Sequence, residues 1–420
     1  MSRIIAIGQS ITAVKFFEKV RNDDPDSEMV IVNFDKDLPS RPERFPDFIG
    51  KKIDRKNVVY QSESFYKNLR FEVINGKKIN RINWKRKTVF FEDGQKLEGD
   101  IILVAASDKT SYPDIKGTIK EGVFSLKTID QVDAFLAMIR RIDTVVIQSS
   151  SLKGVLWAQS MIPLQIEVVL AIPAGGILPG VLDESVSNVI ISMLEKAGVR
   201  VIRDCMVAEI LGESDVKAVR LNVNKVIAAE SVIFPDAASD MRLFNKGELE
   251  CCADAVKTNL NFETNLDNVF AIDEMADSCA LSAGTFLSDD VRSILVGRIY
   301  NRIKGIETPA VTAFPCYSAD LLGHDFFCIG LMNCEGAEVF VKYDDEQLLR
   351  ARFIVKDNIL KAAYLLNYSD LETKVTQLVQ EQQPVDPSAL CPGCLKEEHL
   401  LQSQVGSVGE RVLVKPEIQG

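Results

Sequence analysis

Histidine, glycine and long apolar runs are all in short supply in this sequence. Two histidines in 420 residues argue against a histidine-based metal centre and leave no Ser–His–Asp arrangement for nucleophilic catalysis. No stretch approaches the roughly 18 apolar residues of a membrane-spanning helix, and no cationic segment followed by an apolar one opens the chain. A cytoplasmic protein with no membrane span is expected. Basic residues do not dominate: 49 Lys and Arg against 60 Asp and Glu give a net charge of −11. Nucleic-acid binding needs clustered Lys and Arg, so no nucleic-acid partner is expected. Glycine is slightly scarce, at 24 of 420 residues, or 5.7%, against an average of about 7%.

The remaining composition is ordinary. A chain that is 46% hydrophobic and 26% charged is not wholly disordered, and its length predicts two to three domains. Nine cysteines, an odd number with no secretion signal, point to reduced thiols, some of them candidate ligands.

The first thirty-five residues alternate between two periodicities. Ile4–Ile7 reads as a buried strand, Gly8-Gln9-Ser10 as a tight turn, and Thr12–Val20 as a helix. Asn22–Asp26 breaks that helix before a second strand, Met29–Asn33, which ends near Asp35. This is a βαβ unit. A meander follows at Arg70–Ile74, Ile79–Trp84 and Lys87–Phe91, then a buried strand, Asp100–Ala105. The order recurs from Thr144. Thr144–Ile147, the helix-like Gly154–Ile162 and Ile166–Ile172 lead to an amphipathic helix, Ser185–Lys196, a second meander over 199–227 and a closing strand, Ser231–Phe234. A repeated module is more informative than any single motif. Beyond residue 308, strands at Asp325–Leu331, Ala337–Tyr343, Leu348–Lys356 and Ile359–Leu366 and a helix at Asp370–Gln380 suggest a small α+β domain, followed by a polar tail.

With its landmarks taken in order, the sequence resembles the FAD-dependent pyridine-nucleotide oxidoreductases, especially the rubredoxin reductase and nitrite reductase large-subunit branch. The landmarks are Ser40-Arg41-Pro42, Asp93-Gly94, Ile101–Ala105, Val123-Phe124, Leu178-Pro179, Leu182-Asp183-Glu184 and Asn268-Val269-Phe270-Ala271. The resemblance implies an α/β protein with two Rossmann-like three-layer nucleotide-binding modules. An FAD-type domain would span 1–113 and 239–307, an NAD(P)-type domain 114–238, and a C-terminal α+β interface domain 308–384, with a flexible tail over 385–420. No catalytic residue is assigned, and whether the chain is an enzyme stays open.

The phosphate loops depart from the family. In Gly-x-Gly-x-x-Gly the glycines make the turn, admit the pyrophosphate and allow close helix packing. The first module keeps Gly8, carries Ser10 at the approach position and Ala13 at the third. Asp35 is placed for an adenosine ribose, and Arg41 and Pro42 stand where the family meets the cofactor. Ala105-Ala106-Ser107 replaces Ala-Thr-Gly, and Asp273-Glu274 replaces Gly-Asp. Glu274 is a longer substitute for the ribitol-binding carboxylate, whereas Asp273 brings charge close to a phosphate. In the second module Gln148, Ser150 and Lys153 stand where glycines are expected, with Lys153 expected to point to solvent. The first module is thus open to either reading, FAD kept or FAD lost, while loss of NAD(P) binding in the second is expected.

No cysteine precedes Cys205, which excludes a dithiol relay on the flavin face. Cys391-Pro392-Gly393-Cys394 can chelate zinc or join an iron–sulfur site, with His399 as a third ligand; it also reads as a dithiol or an incidental pair. Three functions follow. The first is an electron-transfer subunit, with other subunits of a redox complex as partners in a homo- or hetero-oligomer. The second is a non-catalytic scaffold that binds neither cofactor, and the third a conventional NAD(P)H:acceptor reductase.

Overall fold

The computed structural model describes residues 2–107, 109–259, 261–277, 289–307, 316–344, 349–386, 390 and 393–396. They fall into two compact units, one holding 1–179 and 184–313 and the other 180–183 and 314–420.

The first sheet of the larger unit is parallel. Its strands are β1 (Arg3–Ile7), β2 (Glu28–Asn33), β3 (Phe71–Asn75), β7 (Ile101–Val104) and β18 (Val269–Ala271), ordered β18-β7-β1-β2-β3. Ile4, Ile5, Ala6 and Ile7 are all buried, as expected of a central parallel strand covered on both faces. Helix α1 (Ile11–Asp23) joins β1 to β2. It starts where the Ser10 hydroxyl accepts from the Ala13 amide, and it buries Val14, Phe16, Phe17 and Val20. Leaving β1, the chain goes to β2 on one side and later returns to β7 on the other. Open α/β sheets bind ligands at such a switch point. Between β3 and β7 lies an antiparallel meander of β4 (Ile79–Asn83), β5 (Thr88–Phe91) and β6 (Lys96–Glu98).

The second sheet repeats this plan. Strands β9 (Val123–Phe124), β10 (Thr144–Gln148), β11 (Glu167–Ala171), β12 (Arg200–Ile202) and β16 (Ser231–Ile233) run parallel in the order β12-β11-β10-β16-β9. Its meander is β13 (Val207–Leu211), β14 (Ala218–Leu221) and β15 (Val226–Ala228). The short β8 (Thr110–Ser111) and β17 (Ala238–Ser239) pair antiparallel. Helices α2 (Phe45–Ile49) and α3 (Glu63–Asn68) lie between β2 and β3, and α4 (Ile129–Met138) lies between β9 and β10. Helix α5 (Leu152–Met161) joins β10 to β11, α6 (Glu184–Lys196) precedes β12, and α7 (Asp289–Ile303) runs beside α1.

Segments 70–74 and 200–203, expected as meander strands, instead edge the two parallel sheets. An edge strand is half exposed and alternates in polarity like a meander strand, so the two read alike.

The smaller unit is a six-stranded antiparallel sheet. Its strands are β19 (Cys316–Leu321), β20 (His324–Ile329), β21 (Glu338–Asp344), β22 (Leu349–Lys356), β23 (Ile359–Leu366) and β24 (Leu395–Lys396), with α8 (Glu372–Glu381) packed on it through Val375 and Val379. The tail is not wholly loose. Leu390 is buried in this core, and β24 pairs with β21. Among the described residues no helix is long and apolar enough to cross a membrane.

Candidate functional site

The first βα turn is built on a close backbone approach. Gly8 has φ +90°, and a Cβ there would lie 2.5 Å from the Ala106 amide nitrogen. Only glycine satisfies both conditions. Ala13 is fully buried beneath the turn. Gln9 joins two neighbouring segments: its amide nitrogen donates to Asp35 Oδ2, and its Oε1 accepts from the Ser40 amide at 3.1 Å. Burial, reinforced by the charge of Asp130, pushes the Asp35 carboxyl up to about 6, although the Gln9 hydrogen bond opposes this.

Asp273 comes from the far end of the chain. It follows β18 with φ +53°, a left-handed conformation that Asp tolerates better than most side chains. Its carboxylate accepts from the hydroxyls of Ser10 and Thr12, the latter at 2.6 Å. Dinucleotide folds bind a pyrophosphate at this helix N-terminus. Enclosure raises the Asp273 carboxyl above the usual range, with Ser10 and Thr12 working against the rise.

Glu274 faces the cavity and pairs with two lysines. Lys127 Nζ donates at 3.1 Å, and Lys153 Nζ bonds the other oxygen. The two cations, Lys127 foremost, hold the carboxyl far below its ordinary value. Lys153 was expected in solvent, yet its side chain is only 10% exposed. Its position in the first turn of α5 directs it across to Glu274 rather than outward.

These groups line a cavity of about 560 Å³, within the ordinary range for a small-molecule site. Its wall runs from Phe34 and Asp35 past Ser10, Pro42, Ala105, Ala106 and Asp273 to Lys109, Thr110, Lys127, Lys153, Trp157 and Arg242. Of the sequence-nominated residues, Ser10, Asp35, Pro42, Ala105, Ala106 and Glu274 share this wall, and Gly8 and Ala13 pack behind it. Arg41 does not join them: its guanidinium lies over the Tyr60 ring, 4.9 Å from the centroid. A flavin dinucleotide fits the close approach at Gly8, the ribose position at Asp35 and the polar far wall. At the pyrophosphate position the two hydroxyls are already engaged by Asp273.

The second βα turn sits one residue later than the sequence suggests. Strand β10 runs through Gln148, whose Oε1 accepts from the Val207 amide at 2.6 Å. The three loop positions are therefore Ser149, Ser151 and Gly154, and the third glycine is retained. A Cβ on Gly154 would lie 2.2 Å from Ser149 Cβ, so this residue performs the helix-packing role. Asp236, three residues beyond β16, fills the anion position. It accepts from Ser149 Oγ at 2.7 Å, from the Ser150 amide at 3.0 Å and from Ser151 Oγ. Asp236 therefore holds the donors that a phosphate would meet at this turn.

Sequence reasoning missed Asp236, Lys127, Gln9 and Thr12 as site residues. Only Gln9 and Thr12 gave a local signal, by lying within the first turn. Cys391 and His399 lie outside the described residues. Cys394 is half-buried and packs against the core of the smaller unit. Among the described residues no group of three or more His, Cys, Asp and Glu is gathered for a metal.

The sequence pattern described as pyridine nucleotide-disulphide oxidoreductase matches residues 2–293. An NADH oxidase of Methanocaldococcus jannaschii is 21% identical over 66% of this chain and 63% of its own length. The nitrite reductase [NAD(P)H] of Bacillus subtilis is 17% identical over 92% of this chain and 48% of its own. The chain thus spans about half to two thirds of these two relatives. The ferredoxin reductase component of a chlorobenzene dioxygenase from Cupriavidus sp. is 20% identical over 96% of this chain and 99% of its own length. Among solved structures, a covalent putidaredoxin reductase–putidaredoxin complex matches with a TM-score of 0.80 at 17% identity, covering 97% of this chain and 98% of that one. An NAD-dependent persulfide reductase from A. fulgidus matches with a TM-score of 0.81 at 17% identity, covering 96% and 84%. At these identities the structural likeness concerns the fold.

Proposed function

Because the chain belongs to the pyridine nucleotide-disulphide oxidoreductase family, we propose that it is an electron-transfer protein that binds FAD in its first module and takes no hydride from NAD(P)H through its second. The contrast between the two βα turns carries this reading. The first keeps Gly8, Asp35 and a cavity, with Asp273 on two side-chain hydroxyls, whereas in the second serines stand at the first two glycine positions and Asp236 holds two hydroxyls and a backbone amide. Gly8 admits the cofactor backbone, Asp35 is placed to accept from a ribose hydroxyl, and the Lys127–Glu274–Lys153 cluster sets the charge of the far wall. When bound, the isoalloxazine accepts electrons and passes them on. The reductase components among the relatives support a protein partner as electron donor or acceptor.

A second reading, a scaffold that binds neither cofactor, draws on one observation, the carboxylate of Asp273 against α1. Titrating FAD fluorescence with the purified protein separates the two. Saturable quenching is expected, and its absence overturns the flavin reading in favour of the scaffold.

A further inference from the structure

We propose that Asp273 is a tethered competitor for the FAD pyrophosphate, which makes the flavin an exchangeable ligand of this chain rather than a permanently held group. The inference rests on the flavin reading above. Asp273 stands two residues beyond β18, and its carboxylate already occupies the hydroxyls of Ser10 and Thr12 at the start of α1. These are the first donors an incoming phosphate would meet. The residue lines the same cavity, so carboxylate and pyrophosphate compete for one space. Both need the same two hydroxyls, and any charge the carboxyl carries adds repulsion to that competition. The backbone adds a second observation. At φ +53° a glycine would be unstrained, while an aspartate keeps this conformation at a small cost. The carboxylate is thus held where the fold would more easily accept no side chain. Arg292 lines the cavity and attracts Asp273, while Glu274 repels it. Binding FAD therefore displaces a carboxyl that already has partners within the protein.

FAD and riboflavin titrations of the native chain, Asp273→Asn and Asp273→Gly test the proposal, with thermal melts confirming that each variant folds. Asn keeps the size and removes the charge, whereas Gly also relieves the backbone. Both variants are expected to bind FAD roughly tenfold or more tightly than the native chain, with no gain for riboflavin, which has no phosphate. Equal FAD affinity in all three proteins overturns the competition and leaves the flavin reading intact. An equal gain for riboflavin also overturns it. No FAD binding by any of the three overturns the flavin reading as well.

Discussion

Asp236 and Ser150 lie 86 residues apart, and the Ser150 amide donates to Asp236 Oδ2 at 3.0 Å. Ser149 Oγ and Ser151 Oγ donate to the same carboxylate, so one exposed side chain satisfies the loop that opens α5. The bonds tie the residues just before α5 to the end of the second sheet rather than to the helix's own first amides.

Asp236→Ala is expected to destabilise the protein by about 1–2 kcal/mol, because three donors lose a charged acceptor at a partly exposed site. Urea unfolding of the two proteins measures this. An unchanged midpoint would mean that the three hydrogen bonds do not persist in solution.

Gly154→Ala is expected to be worse, at about 1–3 kcal/mol or more, because the new methyl would meet Ser149 Cβ at 2.2 Å in a packed interior. Ala in place of the neighbouring Lys153 removes a cation rather than adding bulk, so the two variants are distinguishable. Combining Gly154→Ala with Ser149→Gly, which removes the opposing Cβ, checks by unfolding curves whether the clash is the cause: partial recovery relative to the two single variants is expected.

The repeat of βαβ, meander and closing strand was legible because buried parallel strands and an amphipathic helix leave strong periodic signals. Gly8 and Asp35 were legible for the same reason, since both are fixed to strand ends. The second loop was misplaced by one residue because Gln148 continues β10, and nothing local marks where a strand stops. Asp236 acts on a loop 85 to 87 residues away and Asp273 on hydroxyls 261 and 263 residues away, relations that only the folded chain creates. Lys153 misled through its own helix: its position looks solvent-facing until Glu274 arrives from beyond β18.

Asp35 gives a pH signature. Its carboxyl is raised from 3.8 to about 6 in the fold, so the folded state holds this proton more tightly than the unfolded one. The group therefore favours folding at low pH, and that advantage is lost as pH rises from about 4 to about 6. The difference corresponds to about 3 kcal/mol. Asp35→Asn should flatten this part of the stability–pH curve, measured by thermal melts across pH 4 to 8. A variant curve parallel to the native one would show that Asp35 is not the responsible group.

Lys153→Gln should destabilise more than Lys127→Gln, by roughly 1–2 kcal/mol against less than about 1. Both lysines bond Glu274, but Lys153 is 10% exposed and Lys127 is 23% exposed. Chemical unfolding of both variants gives the comparison. Equal effects would mean that solvent screens the two pairs alike.

The central claim is that the first module binds flavin while the second takes no nicotinamide nucleotide. Anaerobic addition of NADH, then NADPH, then dithionite to the FAD-loaded protein tests it most directly. The account predicts that neither nucleotide bleaches the flavin absorbance and that dithionite does. Rapid bleaching by either nucleotide would contradict it.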